Sequence, residues 1–315
     1  MLLQEISKEL RSFLPEGAVL FEEPMRLHTT FRIGGPADVY VQVASEEELA
    51  RVLAVCHAAG GSPYIIGKGS NLLVADGGVR GVVVEIGRAM SDICVEGSRI
   101  HAKAGAALSA IARAALAASL DGFAFAAGIP GSLGGAAVMN AGAYGGEMKD
   151  VVETVRLLMP DGSICEKTPA ELHFRYRATD IPEIGAIVTG ACICLTPGKA
   201  EEIREKMEEL RLRRQEKQPL DLPSAGSTFK RPEGDFAGRL IEASGLRGHR
   251  VGGAMVSEKH CGFVVNMGDA TAADVCAVIC DVRERVFADS GILLEPEVRF
   301  IGDFEKEEPC HFPGK

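Results

Sequence analysis

The sequence predicts an α+β protein in which two α+β domains are joined by a single long helix. Short apolar segments with the two-residue period of strands alternate with segments that have the helical period of amphipathic helices. A highly charged stretch at 199–218 has no strand pattern and stops at Pro219, as expected for a connecting helix. Glycine supplies 37 of the 315 residues, about 12% against a usual ~7%, and the excess is clustered. Such clusters are typical of places where the backbone comes close to another group.

The elements of the first domain, which ends near residue 198, follow from periodicity and from capping residues. Ser45 and Glu48 form a capping-box pattern at the start of one helix, and Gly60 ends it. The dipeptide Asp161-Gly162 predicts a hairpin turn. Helices are predicted at 1–17, 45–60 and 107–120, and strands or hairpins at 37–44, 62–67, 72–75, 82–86, 93–105, 152–168 and 186–195.

The second domain repeats the mixture of strands and helices after the connecting helix. Thr271 and Asp274 form a second capping-box pattern, which predicts a long helix that starts at residue 272. Helices are predicted at 236–246 and 272–289, and strands or a hairpin at 254–267 and 296–302.

Charge and composition exclude several classes of function. The chain has 34 basic and 44 acidic side chains, a net charge of −10, and no Trp. Such a surface repels nucleic acid and anionic membranes, so an anionic small molecule would need a local pocket of cations and backbone N–H groups. Nine cysteines without a CxxC pair predict no metal site. Without a signal-peptide pattern or a run of ~18 apolar residues, we expect a cytoplasmic protein.

The loop Gly67-Lys68-Gly69-Ser70-Asn71 is the first candidate ligand site. It follows a predicted strand, as a dinucleotide loop does, but "LLVADGG" after it is strand-like and the third glycine is missing. A Rossmann fingerprint is therefore excluded, because that motif opens a helix. The loop can still wrap a phosphate with consecutive N–H groups, helped by Lys68 and Ser70, or it can be a plain tight turn.

The segment "GIPGSLGGAAVMNAGAYGG" at 128–146 is the second candidate ligand site. It holds seven glycines in 19 residues, and the residues between them are mostly apolar, with Ser132, Asn140 and Tyr144 as exceptions. We expect such a segment to be buried, and buried backbone without side chains suits a flat aromatic ring or a diphosphate that lies on the main chain. The alternative is close packing of a helix on a strand.

Ser227, in "PSAGSTFK", could be a nucleophile, a phosphate contact, an acid or a turn residue. A hydrolase would need a base beside it, and the nearest histidines in sequence are His173, His249 and His260. The GxSxG elbow is also missing, so the hydrolase hypothesis is rejected. The other three roles stay open at this point.

Seven motifs in order resemble the UDP-N-acetylenolpyruvoylglucosamine reductase family over residues 22–302. They read "HTTFRIGGPADVYV", "PYIIGKGSNLLV", "AGIPGSLGGAAVMNAGAYGGE", "FRYR", "PSAGSTFKRP", "GHRVGGAMVSEKHCGFVVN" and "LEPEVRFIG". The short segment between Tyr176 and the charged helix is similar to the subfamily that lacks an inserted tyrosine loop.

The resemblance implies a vanillyl-alcohol-oxidase/PCMH-type FAD-binding domain of two α+β subdomains, followed by a C-terminal α+β substrate-binding domain. On this basis the chain is divided into FAD-binding subdomain 1 with the N-terminal helix (1–75), FAD-binding subdomain 2 (76–198), a connecting helix (199–218), a substrate-binding domain (219–302) and a loose tail (303–315).

The resemblance also implies a reaction. NADPH would reduce bound FAD, and the reduced flavin would pass a hydride to the enolpyruvyl ether of UDP-N-acetylglucosamine enolpyruvate. The product, UDP-N-acetylmuramate, is a precursor of peptidoglycan. We expect a monomer with NADPH and this UDP-sugar as partners, and neither nucleic acid nor membrane. The alternative is a related FAD-dependent oxidase of the same superfamily with another substrate.

Position by position, the family match implies three catalytic residues. Ser227 would be the proton donor, Arg177 would stabilise charge on the substrate carboxylate, and Glu297 would polarise that carboxylate or steer the proton. The strand pattern alone does not distinguish Glu295 from Glu297. The substrate contacts implied are Tyr176, Lys217, Arg231 and Arg247. The FAD contacts implied are Gly67, Lys68, Gly69, Ser70, Asn71, Gly128, Ile129, Pro130, Gly131, Ser132, Gly134, Gly135, Asn140, Gly142, Ala143 and Tyr144.

Overall fold

A computed structural model of the chain describes residues 3–304. These residues fold into two compact units, each composed of three separate stretches of sequence. Of the described residues, unit 1 holds 3–20, 39–68 and 82–214, and unit 2 holds 21–38, 69–81 and 215–304. Each unit has an apolar core of its own.

Helices and short strands alternate along the described part of the chain. The α-helices are α1 Leu3–Arg11, α2 Glu46–Ala58, α3 Leu108–Ala117, α4 Leu133–Val138, α5 Ala200–Lys217, α6 Ala237–Ala243 and α7 Ala272–Ser290. The strands are β1 Val19–Pro24, β2 Pro36–Val43, β3 Tyr64–Ile66, β4 Leu72–Val74, β5 Val79–Ile86, β6 Ile93–Glu96, β7 Arg99–Lys103, β8 Leu120–Asp121, β9 Gly142–Ala143, β10 Gly146–Glu147, β11 Val152–Leu158, β12 Ile164–Lys167, β13 Ile187–Cys194, β14 Thr196–Pro197, β15 Ser224–Ser227, β16 Arg250–Val251, β17 Ala254–Val256, β18 Phe263–Asn266 and β19 Arg299–Ile301.

The start of α2 confirms the first predicted cap. The Ser45 hydroxyl accepts a hydrogen bond from the Glu48 N–H at 3.1 Å. The Glu48 carboxylate accepts one from the Ala44 N–H at 2.7 Å, one residue further back than in an ideal capping box. Strands β1, β2, β5 and β3 form a four-stranded sheet in that order, in which β3 and β5 are parallel.

A five-stranded sheet of unit 1 has the order β12-β11-β13-β7-β6, and its neighbouring strands are antiparallel. The hairpin predicted around Asp161-Gly162 is confirmed, with Leu158 opposite Ile164. Helix α4, which belongs to the glycine-rich segment, packs against β13 and β7. The second glycine segment therefore packs on a sheet that contributes to the apolar core of unit 1.

Unit 2 contains the four-stranded antiparallel sheet β15-β18-β17-β16, against which α7 packs. Strand β19 pairs in parallel with β4, so the end of this unit's chain is joined to the strand after the first glycine loop. The predicted capping box of α7 is confirmed, because Thr271 and Asp274 exchange the two expected hydrogen bonds. Gly291, with φ 72°, ends this helix in the left-handed conformation.

The predicted division has five consecutive segments, whereas each of the two compact units is discontinuous in sequence. Each unit gathers stretches from distant parts of the sequence. The boundaries at 75, 198, 218 and 302 stay predictions. The predicted loose tail, 303–315, lies from residue 305 onward outside the described residues. Among the described helices, none is both long enough and apolar enough to cross a membrane.

Candidate active site

The glycine-rich segment of unit 1 combines close packing with accessible backbone. Gly134 donates its N–H to Ala104 O at 2.8 Å, and a Cβ on Gly134 would lie 3.0 Å from the Ala104 Cβ. Gly135 is exposed, and among the described atoms a Cβ there would meet Ser132 Oγ alone, at 3.8 Å. Gly134 therefore permits close helix–strand packing, whereas Gly135 leaves main chain exposed where the sequence predicted burial. The ligand-binding interpretation stays a prediction.

Gly67 connects the two predicted FAD segments within unit 1. A Cβ on Gly67 would lie 2.3 Å from the Ser132 Oγ, so the loop after β3 touches the start of α4. Ser132 is almost fully buried, at 3% exposure. Of the other predicted FAD residues in this unit, Lys68, Gly128, Pro130 and Tyr144 are exposed, and Ile129, Gly131, Gly142 and Ala143 are half-buried.

Arg214, near the end of α5, lies against the same glycine segment. A Cβ on Gly128 would be 2.9 Å from the Arg214 Nη1. Among the described residues, the buried Nε and Nη1 of Arg214 have no hydrogen-bond partner. Burial lowers the pKa of Arg214, and interaction with the Tyr144 hydroxyl partly offsets this. A buried guanidinium with two unsatisfied N–H donors is costly unless an acceptor is supplied.

These features of unit 1 fit FAD. Its diphosphate and its flavin carbonyls are acceptors of the type that the Arg214 donors require. The exposed backbone of Gly135, where a Cβ would lie 3.8 Å from Ser132 Oγ, leaves room for a flat or extended group. The donor set is therefore chemically complementary to the cofactor that the sequence motifs imply.

Gly69, on the unit 2 side of the first loop, has a backbone that an L-residue cannot easily adopt. Its φ is +58°, and a Cβ would lie 2.0 Å from the carbonyl oxygen of His28. Its own carbonyl accepts a hydrogen bond from the Thr30 N–H at 3.3 Å. The strand β4 after this loop confirms that the loop does not open a helix. A Rossmann-type site is thus excluded by the structure as well.

We expect Gly69→Ala to destabilise the protein by about 2–5 kcal/mol, because the methyl group adds left-handed strain to a backbone clash. The measurement is the midpoint of urea unfolding, together with the flavin absorbance of the purified protein. Gly77→Ala is the matched control, since apart from its chain neighbours no described atom lies within 4 Å of the Gly77 Cβ position. Equal midpoints for the two variants would contradict the prediction.

Asn71 joins the first glycine loop to Glu297 within unit 2. The Asn71 side-chain amide donates to Glu297 O at 3.0 Å. The Asn71 carbonyl accepts from the Arg299 N–H at 2.9 Å. Ser70, the preceding residue, is half-buried. The predicted loop residue Asn71 therefore holds the segment before β19, which carries one of the predicted catalytic residues.

Ser227 and Glu297 lie on neighbouring backbone segments of unit 2. The Glu297 N–H donates to Thr228 O at 2.8 Å, and Phe229 is bridged to Pro296. This antiparallel pairing puts Glu297 opposite Thr228, and Ser227 is the next residue along the chain from Thr228. Ser227 is exposed, whereas Thr228 is 1% exposed. Two of the three predicted catalytic residues thus lie in adjoining segments of one unit.

The same pairing distinguishes Glu295 from Glu297. Glu295 is exposed, with 68% of its side chain accessible, and forms an ion pair with Lys230 on the opposite segment. Its backbone carbonyl accepts the Lys230 N–H at 2.9 Å. Glu297 is half-buried and lies opposite Thr228 instead. Position therefore favours Glu297, as the family match did.

Arg177 lies in a tight turn of unit 1. Arg175 and Ala178 exchange backbone hydrogen bonds of 2.9 and 3.3 Å across the turn. Arg177 has φ 55°, an uncommon value for a residue with a side chain, which functional sites often contain. Its Nη2 donates to Gly142 O at 2.9 Å, and its guanidinium lies 5.1 Å from the ring centre of exposed Tyr176. The turn thus presents Tyr176 and Arg177 next to the glycine-rich segment.

Asn140 is fully buried, at 0% exposure, so its predicted contact with FAD stays a prediction. Its amide donates to Glu147 Oε2 and to Arg175 O, both at 3.0 Å, and its oxygen accepts from the Lys149 N–H at 2.9 Å. The structure therefore shows that this side chain connects parts of the protein to one another.

The predicted substrate cations of unit 2 are exposed. Arg231 stacks over the Phe236 ring at 4.0 Å. Arg247 donates to Glu242 Oε1 at 2.5 Å and also bonds the Glu258 carbonyl. Burial lowers the pKa of His260, and the charges of Arg247 and Lys217 lower it further, so His260 is neutral near pH 7. His260 consequently adds no positive charge to these predicted substrate cations.

Arg214 is the residue that sequence reasoning missed. It stands in the run "RLRRQEKQ", where every neighbouring charge looks like part of a solvated helix face. Its burial depends on how α5 packs in three dimensions. The only available signal in the sequence was its place three residues before Lys217, which carries no chemical information by itself.

Two models of known families match the chain. The FAD binding domain model matches residues 37–167. The UDP-N-acetylenolpyruvoylglucosamine reductase, C-terminal domain model matches residues 218–301. The predicted fold class, a PCMH-type FAD-binding domain followed by a C-terminal α+β domain, is confirmed.

Whole-length relatives carry the same name. The UDP-N-acetylenolpyruvoylglucosamine reductase of Agathobacter rectalis is 51% identical, over 96% of this chain and 99% of its own length. That of Clostridioides difficile is 47% identical, over 95% and 99% respectively. The crystal structure of the reductase from Thermus caldophilus superimposes with a TM-score of 0.78 at 37% identity, over 90% of this chain and 98% of its own. The chain therefore belongs to the UDP-N-acetylenolpyruvoylglucosamine reductase family, as an FAD-dependent oxidoreductase of peptidoglycan precursor synthesis.

Proposed function

We propose that this protein uses NADPH to reduce UDP-N-acetylglucosamine enolpyruvate to UDP-N-acetylmuramate, and that it acts as a monomer in the cytoplasm. The observation that carries the proposal is the backbone pairing of the 228–230 and 295–297 segments, which places Glu297 opposite Thr228, the residue after Ser227. A proton donor and a carboxylate on adjacent segments suit the protonation of an enol ether. Family membership supplies the substrate class.

FAD, when bound, supplies the two-electron transfer to one carbon of the enolpyruvyl double bond. The protein must then stabilise negative charge that spreads onto the adjoining carboxylate, and must deliver a proton to the other carbon. The product gains two C–H bonds and loses the double bond. The remaining tasks fall to side chains of this chain.

Arg177 is assigned to the substrate carboxylate. A guanidinium stays charged at all relevant pH values and binds a carboxylate through a planar fork. Its charge is worth more when the carboxylate oxygen gains electron density than in the ground state, so Arg177 accelerates the reaction instead of only tightening binding. Tyr176, exposed beside it, is assigned to lining the site.

Ser227 is assigned as the proton donor and Glu297 as the carboxylate that steers the transfer. A hydroxyl is a weak acid, but a carbanion-like carbon is a very strong base, so a positioned proton suffices. The exposed position of Ser227 leaves its hydroxyl accessible to a ligand. The bulge after Ser224, where Gly226 has φ +79°, sets the direction of this residue.

The UDP diphosphate is assigned to Lys217, Arg231 and Arg247. Their exposure keeps them available to an anion at a protein surface that is otherwise acidic. Exposed cations of this kind lower the apparent KM more than they change kcat, because they bind substrate and transition state alike.

Arg214 is assigned to FAD, so its replacement should weaken FAD binding without lowering the stability of the apoprotein. Arg214→Met should weaken FAD retention about 10- to 100-fold, because a charge-assisted hydrogen bond is lost. The apoprotein should be as stable as wild type or more stable, because a buried, unsatisfied guanidinium is removed. Fluorescence titration with FAD and urea unfolding of the apoprotein measure the two effects.

Arg213→Met is the matched control for Arg214→Met. Arg213 is exposed and forms an ion pair with Glu209 at 2.5 Å. The Arg213→Met variant should leave FAD affinity unchanged and change the free energy of unfolding by less than about 1 kcal/mol. Unchanged FAD affinity in Arg214→Met would refute the assignment.

To test the proposed function, the purified protein is first checked for a flavin absorbance spectrum. NADPH oxidation is then assayed with and without UDP-N-acetylglucosamine enolpyruvate. We expect oxidation to depend on the UDP-sugar. Consumption of oxygen at the same rate without that substrate would favour the related oxidase and refute the proposal. The molar mass measured by light scattering tests whether the protein is a monomer.

A further inference from the structure

Asn140 occupies a buried junction between two parts of unit 1 that meet at Arg177. It follows α4, and its side-chain amide bonds the hairpin β9–β10 through Glu147 and the turn at 175–178 through the Arg175 carbonyl. We propose that Asn140 is a positioning residue that sets the orientation of the Arg177 guanidinium. The inference rests on the proposed role of Arg177.

Asn140 controls the backbone of Arg177 from one side. The Arg175 carbonyl that accepts the Asn140 N–H, at 3.0 Å, belongs to the turn that places Arg177 at φ 55°. A left-handed residue with a Cβ is held there by its surroundings and not by its own preference. Loss of the Asn140 bond therefore frees the turn to relax.

Asn140 controls the side chain of Arg177 from the other side. The Arg177 Nη2 donates to Gly142 O at 2.9 Å, and Gly142 lies opposite Glu147 in the β9–β10 hairpin. Asn140 donates to the Glu147 carboxylate at 3.0 Å and accepts the Lys149 N–H at 2.9 Å. One amide thus anchors both the hairpin that receives the guanidinium and the turn that carries it.

The chemistry of this junction suits asparagine in particular. It needs two N–H donors and one acceptor on a short side chain, and its backbone has φ 42°, which asparagine tolerates well. An aspartate would turn an oxygen toward the Glu147 carboxylate and the Arg175 carbonyl. Two acceptors facing each other in a buried place repel, so the junction would open.

Glu147 also adds a negative charge to the junction. Partial burial acts to raise the pKa of Glu147, but hydrogen bonds from Lys149 and Asn140 and the charges of Lys149 and Arg177 outweigh it, so the net pKa is lowered. The carboxylate is therefore ionised at neutral pH. Asn140 holds this negative charge at a constant place relative to Arg177.

The test compares the two half-reactions of Asn140→Asp by stopped-flow absorbance. Flavin reduction by NADPH should stay near the wild-type rate, and reoxidation by UDP-N-acetylglucosamine enolpyruvate should slow about 10- to 100-fold, the effect of misplacing a catalytic group by about 1 Å. In an Arg177→Ala background, Asn140→Asp should cause no further slowing, because its effect passes through Arg177.

Thr189→Val is the matched control for lost stability. Thr189 is 1% exposed and its hydroxyl donates to Arg156 O at 3.4 Å, with no hydrogen bond to the 175–178 turn among the described contacts. It should lower the unfolding midpoint and leave both half-reactions unchanged. Equal slowing of both half-reactions in Asn140→Asp, or additive slowing with Arg177→Ala, would overturn the inference.

Failure of this inference and failure of the proposed function give different results. If Arg177→Ala itself leaves reoxidation unchanged, the proposed role of Arg177 is wrong. If Arg177→Ala slows reoxidation and Asn140→Asp does not, only the positioning role is wrong. Should Asn140→Asp not fold, Asn140→Gly replaces it, since glycine adopts φ 42° without strain and lacks the amide. The same selective slowing is expected, and its absence overturns the inference.

Discussion

Ser227→Ala should leave the reduction of the flavin by NADPH near the wild-type rate and slow its reoxidation by the enolpyruvyl substrate about 10²- to 10⁴-fold. That range is the usual contribution of a positioned proton donor. The hydroxyl is needed only after the substrate carbon has become basic, so the first half-reaction does not use it. Stopped-flow absorbance of the flavin measures both rates separately.

The matched control for Ser227→Ala is Ser163→Ala. Ser163 lies in the β11–β12 hairpin turn, where its hydroxyl donates to Asp161 at 2.6 Å. It should leave both half-reactions unchanged. Reoxidation of Ser227→Ala at the wild-type rate would show that another group delivers the proton.

Arg177→Ala should slow the same reoxidation step by about 10²- to 10³-fold, because one preorganised charge is lost from the carboxylate in the transition state. Alanine and arginine both carry a Cβ, so both meet the same penalty at φ 55°. The substitution therefore removes the guanidinium with little change in the backbone. Single-turnover reoxidation at saturating substrate measures the loss.

Two further variants test whether the loss is specific to the Arg177 guanidinium: Arg177→Lys is the conservative replacement and Arg99→Ala is the control. Arg177→Lys keeps the charge and loses the planar fork, so its rate should fall between those of wild type and Arg177→Ala. Arg99 is exposed and paired with Glu153 at 2.6 Å, so Arg99→Ala should retain both rates. A variant of Arg177 that is impaired in flavin reduction alone would contradict the assignment.

Local features of the fold could be predicted because a few consecutive residues determine them. The cap of α7 requires Thr271 and Asp274 three residues apart, and the β11–β12 turn requires Asp161-Gly162. The strand after the 67–71 loop was readable from its apolar pattern. Each of these involves groups that meet within one helical turn or one hairpin.

The candidate site was only partly predictable for the opposite reason. The sequence contained Ser227 and Glu297 as separate motifs 70 positions apart, and the backbone pairing that joins them is a long-range event. The choice between Glu295 and Glu297 depended on the ion pair with Lys230, which no local pattern encodes. Cross-strand neighbours depend on register, and register is set by the whole sheet.

By itself the sequence determined the α+β composition, the helix caps, the two glycine segments and the family to which the chain belongs. Tertiary structure decided which stretches form each compact unit, that the Nε and Nη1 of Arg214 are buried near Gly128, and that Asn140 connects the Arg177 turn to a hairpin. Capping and periodicity act over a few residues, so the sequence contains them directly. Burial of a guanidinium or an amide depends on atoms brought together from distant positions, and those contacts exist only once the chain has folded.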